Sequence, residues 1–197
     1  MTMKYFLNRV VHLKKKMKYN KLIFLTLSIA ITLSSCNFYP SKPEVKVVSP
    51  SPQSQANTLE VTRASDPILA GYMAIKNAMV ADDSLSVSLA IETLHSSIEE
   101  RIKNSKQSTD NALYVKMESL ALEMKNQNFE QQRMSLIDLT AALLDWNKSN
   151  PSDEKIYLQY CPMYQGGNYW LSMNEQVLNP YYGSKMLRCG VVEKVLN

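Results

Sequence analysis

The chain has 197 residues and a formal charge of +4 at pH 7, enough length for one ordinary domain with appendages. Residues 1–35 hold seven basic and no acidic side chains, which leaves 15 basic against 18 acidic residues in the remainder. The basic excess therefore belongs to the N-terminus, and charge gives no case for nucleic-acid binding by the rest of the chain.

The N-terminus predicts an export signal. Lys18 and Lys21 precede the apolar run LIFLTLSIAITL at residues 22–33. These 12 residues suit a signal peptide. They are too few to span a bilayer, which needs about 20. Met17 is an alternative start, since MKYNKLIFL is by itself a typical signal opening.

The apolar run ends in LSSC, which resembles a bacterial lipobox. This resemblance implies cleavage before Cys36 and lipid modification of Cys36, with residues 1–35 removed. The expected location is the cell envelope, with a lipid anchor facing the periplasm, in the outer membrane rather than the inner. An ordinary signal peptide with an incidental Cys36 is the alternative. The Pro- and Ser-rich residues 36–65 that follow predict a flexible tether.

Residues 66–150 predict an antiparallel four-helix bundle, so the fold class is mainly α. Asp66 followed by Pro67 is typical of a helix start, and Asp83 can cap the next helix. Asn128 with Gln131 is typical of a capping pair. Apolar residues recur at helical spacing in four segments separated by polar breaks. The expected inner positions are Ile68, Leu69, Tyr72, Ile75, Met79, Val80, Val87, Ile91, Leu94, Ile98, Ile102, Leu113, Met117, Leu120, Ala121, Met124, Phe129, Leu136, Leu139, Leu143 and Trp146.

The predicted helices offer little sign of chemistry. His95 is the one histidine after the signal, and we interpret it as a rim residue. Glu99 and Glu100 are expected on a solvated, salt-bridged face. Methionines fall mostly on the apolar stripes and are expected to fill the core. They are Met73, Met79, Met117, Met124 and Met134.

Residues 151–197 predict a small, irregular, β-containing module, called the C-terminal module below. IYLQY alternates as a strand does, YWLS and CGVVEKV have strand character, and QGG and NPYYG indicate turns. Six of the 11 tyrosines lie between Tyr157 and Tyr182. The rings either form a small core against the helices or shield a bound soft cation from water. The candidate supporting aromatic residues are Tyr164, Trp170, Tyr181 and Tyr182.

Four sulfur-bearing residues in this module, Cys161, Met163, Met186 and Cys189, form two Cys-and-Met pairs. Thiolate and thioether ligands suit Cu(I), whereas structural zinc normally takes four Cys or His ligands. The alternative is a Cys161–Cys189 disulfide, because exported compartments are oxidising and two cysteines remain once Cys36 is lipidated. From spacing alone the disulfide is favoured.

The motifs YCPM, YWLS and NPYYGSKMLRCG resemble the bacterial domain-of-unknown-function family 3347. ILAGYMAIKNAMVADD and EQQRMSLIDLTAALL resemble its first and last helices, so the resemblance covers about residues 66–194. The family also occurs appended to copper/silver efflux adaptor proteins. It implies a helical domain with a Cys/Met module that handles copper-type metals. CPM also resembles heavy-metal-binding segments, but Tyr164 stands where such segments usually have His.

The resemblance moves the balance slightly toward metal binding. We expect an envelope lipoprotein that binds a soft metal ion, Cu(I), through Cys161, Met163, Met186 and Cys189, for sequestration or transfer to heavy-metal efflux or assembly components. The alternative is a non-metal interaction or structural lipoprotein with a Cys161–Cys189 disulfide. No catalytic motif is present in the sequence, so we expect no enzyme activity.

Overall fold

The computed structural model describes residues 60–104 and 111–196. The predicted signal peptide, Cys36 and residues 36–59 of the predicted tether lie outside the described residues. The end of the tether needs correction, because residues 60–63 are helical and Glu60 is only 3% exposed. The folded part therefore includes residues before 66. Among the described residues, no helix combines the length and the apolar character needed to cross a membrane.

The fold is mainly helical, as predicted. Helix α1 spans Pro67–Val80, α2 spans Ser84–Asn104, α3 spans Asn111–Lys125 and α4 spans Phe129–Ser149. Consecutive helices pack against each other, and α1 also contacts α4.

The predicted helix starts are confirmed by their caps. The Asp66 carboxylate accepts a hydrogen bond from the backbone N–H two residues later at 2.8 Å, and Asp83 accepts one at 3.0 Å from the N–H three residues later. Asn128 and Gln131 form the reciprocal capping box at the start of α4. Each cap satisfies backbone N–H groups that have no partner inside the helix.

The core confirms the helical spacing read from the sequence. The expected positions are buried or partly buried, with Ile68, Met79, Leu94 and Leu136 among those inaccessible to solvent. Gly71 permits α1 to approach α2 closely, because a Cβ at this position would lie 3.0 Å from the Cα of Leu94.

Of the five methionines expected in the core, four are buried and Met134 is half exposed. Met134 lies instead beside a surface groove between α3 and α4.

The C-terminal module contains a three-stranded antiparallel sheet. Strand β1 spans Ile156–Cys161, β2 spans Asn168–Ser172 and β3 spans Val191–Leu196, in the order β2-β1-β3. A short 3-10 helix, Gly183–Met186, lies between β2 and β3. All three strands were indicated by the sequence.

Strand β2 packs against α1 and α4. The Tyr72 hydroxyl makes this contact specific, because it accepts a hydrogen bond from the backbone N–H of Leu171 at 3.0 Å and lies 2.8 Å from the Thr140 hydroxyl. Burial raises the pKa of Tyr72 to about 12, so the hydroxyl stays protonated at neutral pH. The sheet is thus attached to the helices by a buried polar bridge as well as by apolar packing.

Candidate functional site

The two cysteines of the C-terminal module lie side by side. Cys161 ends β1 and is fully buried, whereas Cys189 precedes β3 and is partly exposed. Their Sγ atoms are 3.4 Å apart, and both are free thiols. The structure therefore brings together two predicted site residues that are 28 positions apart in the chain.

The buried amide of Asn179 holds the loop that carries Cys189. The Asn179 Nδ2 donates to the carbonyl oxygen of Cys189 at 2.7 Å, and its Oδ1 accepts from the N–H of Tyr181 at 2.8 Å. Its own N–H donates to the carbonyl oxygen of Leu187 at 2.8 Å. The Asn of NPYYG thus fixes the backbone on both sides of the turn.

Gly190 lets the chain pass close to the end of β1. Its φ is +145°, and a Cβ there would lie 2.7 Å from the carbonyl oxygen of Tyr160 and 2.9 Å from the Trp170 ring. Since any side chain would push the following strand away, the glycine after Cys189 allows the two sulfurs to approach.

The two predicted methionine ligands are on the surface. Met163 follows β1 in a turn and is 61% exposed, and Met186 ends the 3-10 helix and is 38% exposed. Their backbones are nevertheless tied to the site. The Tyr182 hydroxyl donates to the carbonyl oxygen of Met163 at 3.0 Å. The N–H of Cys189 donates to the carbonyl oxygen of Met186, also at 3.0 Å.

The four predicted supporting aromatic residues form a cluster. The ring of Tyr164 stacks on that of Tyr181 with centroids 4.4 Å apart, and Tyr182 meets Tyr164 edge-on at 5.5 Å. Trp170 meets Tyr181 edge-on at 5.9 Å. Cys161 belongs to the same buried core as Tyr164, Trp170 and Tyr181. The rings thus contribute to the packing around the buried sulfur, as a small core of the module.

Electrostatics at Cys189 favour the protonated thiol when no ion is bound. The hydrogen bond with Cys161 raises the pKa of Cys189 above its ordinary value, and desolvation and the neighbouring sulfur act in the same direction. Burial also raises the pKa of Tyr164 and Tyr181. A positive ion bound between the sulfurs would reverse this preference and deprotonate them.

A buried arginine connects the module to the helices. Arg133 in α4 donates from Nη1 to the carbonyl oxygen of Pro180 at 2.8 Å and from Nη2 to that of Met79 at 2.9 Å. Its Nη2 also forms an ion pair with Asp82, in the turn between α1 and α2. Asp82 in turn accepts a hydrogen bond from the N–H of Ser184 at 2.8 Å. We call Asp82 and Arg133 the clamp.

The clamp gives Asp82 an unusual electrostatic setting. Partial burial alone raises the pKa of Asp82, but hydrogen bonds from Ser184 and the charge of Arg133 outweigh it and lower the pKa below its ordinary value. Asp82 has a φ of +57°, a backbone conformation that short polar residues tolerate best. The sequence did not predict the contact of Asp82 with Arg133. The polar break ADDS and the NPYYG turn, which hold the contacting segments, were the features that could have pointed to it.

The comparison with protein families supports the predicted resemblance. Residues 68–155 match the family model described as a protein of unknown function (DUF3347). This match covers all four helices and ends just before β1, so the cysteine motifs of the C-terminal module lie outside it. No curated protein and no solved structure gave a significant match.

The cysteine pair is suited to two kinds of chemistry. With metal–sulfur bonds of about 2.3 Å, two sulfurs at this separation can share one ion at a bent angle. Two thiols in contact can also be oxidised to a disulfide. In both cases the reacting atoms are the sulfurs of Cys161 and Cys189. Asn179 and Gly190 position the backbone that carries them.

Proposed function

We propose that this protein is an envelope lipoprotein that binds a soft monovalent metal ion, Cu(I), through the thiolates of Cys161 and Cys189. The observation that carries the proposal is the 3.4 Å approach of their sulfur atoms. Soft thiolate ligands select Cu(I) over harder ions, and the bent angle that this separation gives leaves room for a third ligand. The role is sequestration or transfer, without catalysis.

The exposed methionines fit a site that exchanges its ion. Cys161 is buried and Cys189 only partly so, which places the cysteines at the inner end of the proposed site. Met163 and Met186 adjoin them in sequence at the surface, where a thioether can supply a third ligand as the ion enters or leaves. Only two or three of the four sulfurs need bind at once.

The remaining parts of the chain have roles consistent with this proposal. Lipidated Cys36 would anchor the protein, facing the periplasm, and the residues after it would form the tether. The four helices would form an antiparallel bundle that supports the C-terminal module. The partner would be a heavy-metal efflux or assembly component that receives the ion.

The test is an anaerobic Cu(I) titration of the reduced, full-length protein in competition with a chromogenic chelator. We expect one Cu(I) per chain to be withdrawn from the chelator, and we expect the Cys161→Ser/Cys189→Ser variant to withdraw none. Met163→Leu, which keeps volume and removes the sulfur, should weaken binding without abolishing it. Equal binding by wild type and the double-serine variant, or binding by neither, would exclude the cysteine site.

A second candidate is a non-metal interaction or structural lipoprotein in which Cys161 and Cys189 form a disulfide. The same proximity and the oxidising character of exported compartments favour it. The disulfide would stabilise the small module by about 2–4 kcal/mol. Mass spectrometry of protein isolated from the envelope, with thiols trapped by alkylation before lysis, separates the two. A fully oxidised pair that resists mild reductant supports the disulfide.

A further inference from the structure

Helices α2 and α3 carry a group of metal-ligating side chains that the cysteine site does not use. His95 and Glu99 lie on α2, and Glu118 lies on α3. One ligand atom from each, an imidazole nitrogen or a carboxylate oxygen, lies within 4.8 Å of the other two. All three side chains are partly buried.

Helix geometry explains why these residues meet. His95 and Glu99 are separated by four positions, so both lie on one face of α2. Glu118 faces them from the neighbouring helix, and the ion pair of Glu92 with Lys125 at 2.9 Å lies along the same helix interface. The ligands therefore project from two packed helices and not from mobile loops.

The charges of the group are poorly balanced within the described residues. The two carboxylates approach each other across the helix interface, which is unfavourable for like charges. Lys103 lies with its Nζ 4.0 Å from Glu99, at the limit of an ion pair. Within residues 60–104 and 111–196, no hydrogen bond or ion pair engages the side chain of His95 or of Glu118. A bound cation would relieve the repulsion and satisfy all three groups.

We propose that His95, Glu99 and Glu118 form a second metal site, which takes a borderline divalent transition-metal ion such as Zn(II). Imidazole and carboxylate are ligands for this class of ion, whereas they are poor ligands for Cu(I). Metal–ligand bonds are about 2.0–2.2 Å. Ligand atoms that all lie within 4.8 Å of one another can therefore reach one ion with small side-chain movements at most. Three protein ligands leave a fourth position for water or for a group from a partner.

The two proposed sites are independent. The divalent site lies on α2 and α3, whereas the cysteines lie in the sheet and the loop before it. They also differ in ligand chemistry, with nitrogen and oxygen in one and sulfur in the other. Loss of either site therefore says nothing about the other.

The test uses the full chain with Cys36→Ser, Cys161→Ser and Cys189→Ser, so that no thiolate can bind the probe. Zn(II) alone is titrated by calorimetry, and we expect one ion per chain. Adding His95→Ala or Glu118→Gln should lower the Zn(II) affinity by roughly 10–100-fold or more. Loss of a residue that only supports a ligand already lowers metal affinity by that factor, and these substitutions remove a ligand itself. Glu100→Gln, an exposed carboxylate one position along α2, is the matched control and should leave the affinity unchanged.

Nuclear magnetic resonance of the His95 ring provides a second measurement. The chain has two histidines, so adding His12→Gln leaves the His95 ring as the single imidazole signal. At a fixed pH, adding Zn(II) should shift this signal. An unshifted ring, or Zn(II) affinity unchanged by both His95→Ala and Glu118→Gln, would overturn the proposal. Circular dichroism of each variant checks that it is folded.

Discussion

At the scale of single residues, the candidate cysteine site depends on side chains that hold the backbone and contribute no sulfur. Asn179 is fully buried, and its amide supplies a donor to the loop of Cys189 and an acceptor to the turn of Tyr181. A buried polar group whose partner is removed loses its hydrogen bond and regains no contact with water. Asn179 is therefore expected to govern both stability and cysteine geometry.

The substitution Asn179→Ala tests this role. It leaves the buried carbonyl oxygen of Cys189 and the N–H of Tyr181 without their partners, so we expect the free energy of unfolding to fall by about 2–4 kcal/mol. Urea denaturation with an unchanged m-value measures the loss. Asn174→Ala is the control, because the Asn174 carboxamide accepts a single exposed hydrogen bond from the N–H of Gln176. A loss no larger for Asn179→Ala than for the control contradicts the assignment.

At the scale of elements, the clamp explains how the C-terminal module is oriented on the helices. The 3-10 helix begins at Gly183 with a φ of +55°, and its first turn lies directly against Asp82. A Cβ at Gly183 would overlap the carboxylate oxygen Oδ1 of Asp82. Only glycine therefore allows Asp82 to keep Ser184 and Arg133 as partners at once.

We expect Gly183→Ala to destabilise the protein by more than Gly166→Ala. Both glycines have positive φ, +55° and +82°, so both substitutions carry the conformational cost of about 1–2 kcal/mol. A Cβ at Gly166 meets nothing within 4 Å, whereas one at Gly183 displaces Asp82. The difference in the free energy of unfolding, expected at about 1 kcal/mol or more, isolates the clamp. Equal losses would show that the clamp contributes nothing measurable.

The elements also show how far the sequence alone can lead. The helices and strands follow from apolar spacing and from caps such as Asp66 and Asn128, which act within a few residues. Within the clamp, Asp82 and Arg133 are 51 positions apart, and Ser184, which donates to Asp82, is 102 positions away. No local pattern in the sequence reveals contacts of this range. His95 illustrates the same limit. Glu99 was visible four positions away, but Glu118 becomes its neighbour only when α2 packs on α3.

The cysteine pair was predictable in part. Composition singled out Cys161 and Cys189, and alternation predicted a strand that ends just before the first of them. Their contact depends on β1 pairing with β3 and on Gly190 closing the approach, which are tertiary features. The sequence could not show that the two methionines would be exposed.

At the scale of the whole molecule, a buried ion pair links the first of the described residues to α1 and to the sheet. Glu60 precedes the residues matched by the family model, yet its carboxylate pairs with Lys76 in α1 and accepts a hydrogen bond from the Ser172 hydroxyl in β2 at 2.7 Å. Lys76 is 1% exposed, and burial lowers the pKa of its ammonium. The polar composition around residue 60 predicted a tether. Nothing in the sequence indicated that Glu60 is buried, because its partners Lys76 and Ser172 are distant in the chain.

This ion pair predicts that Glu60→Gln strongly destabilises the protein. The substitution leaves the Lys76 ammonium buried without a counter-charge, and breaking such a pair costs about 3–5 kcal/mol. Urea denaturation measures the change in the free energy of unfolding. Glu92→Gln is the control, because the Glu92–Lys125 pair is largely exposed and should contribute under about 1 kcal/mol.

A second variant distinguishes a buried charge from a simple packing defect. In Glu60→Gln/Lys76→Met the apolar methionine fills the space of the lysine stem and needs no counter-charge, so we expect much of the lost stability to return. If the double variant is as unstable as Glu60→Gln, the loss comes from packing or from the Ser172 hydrogen bond instead. Recovery would establish residue 60 as part of the folded domain, which places the start of the domain before residue 66 in any fragment made to study either proposed metal site.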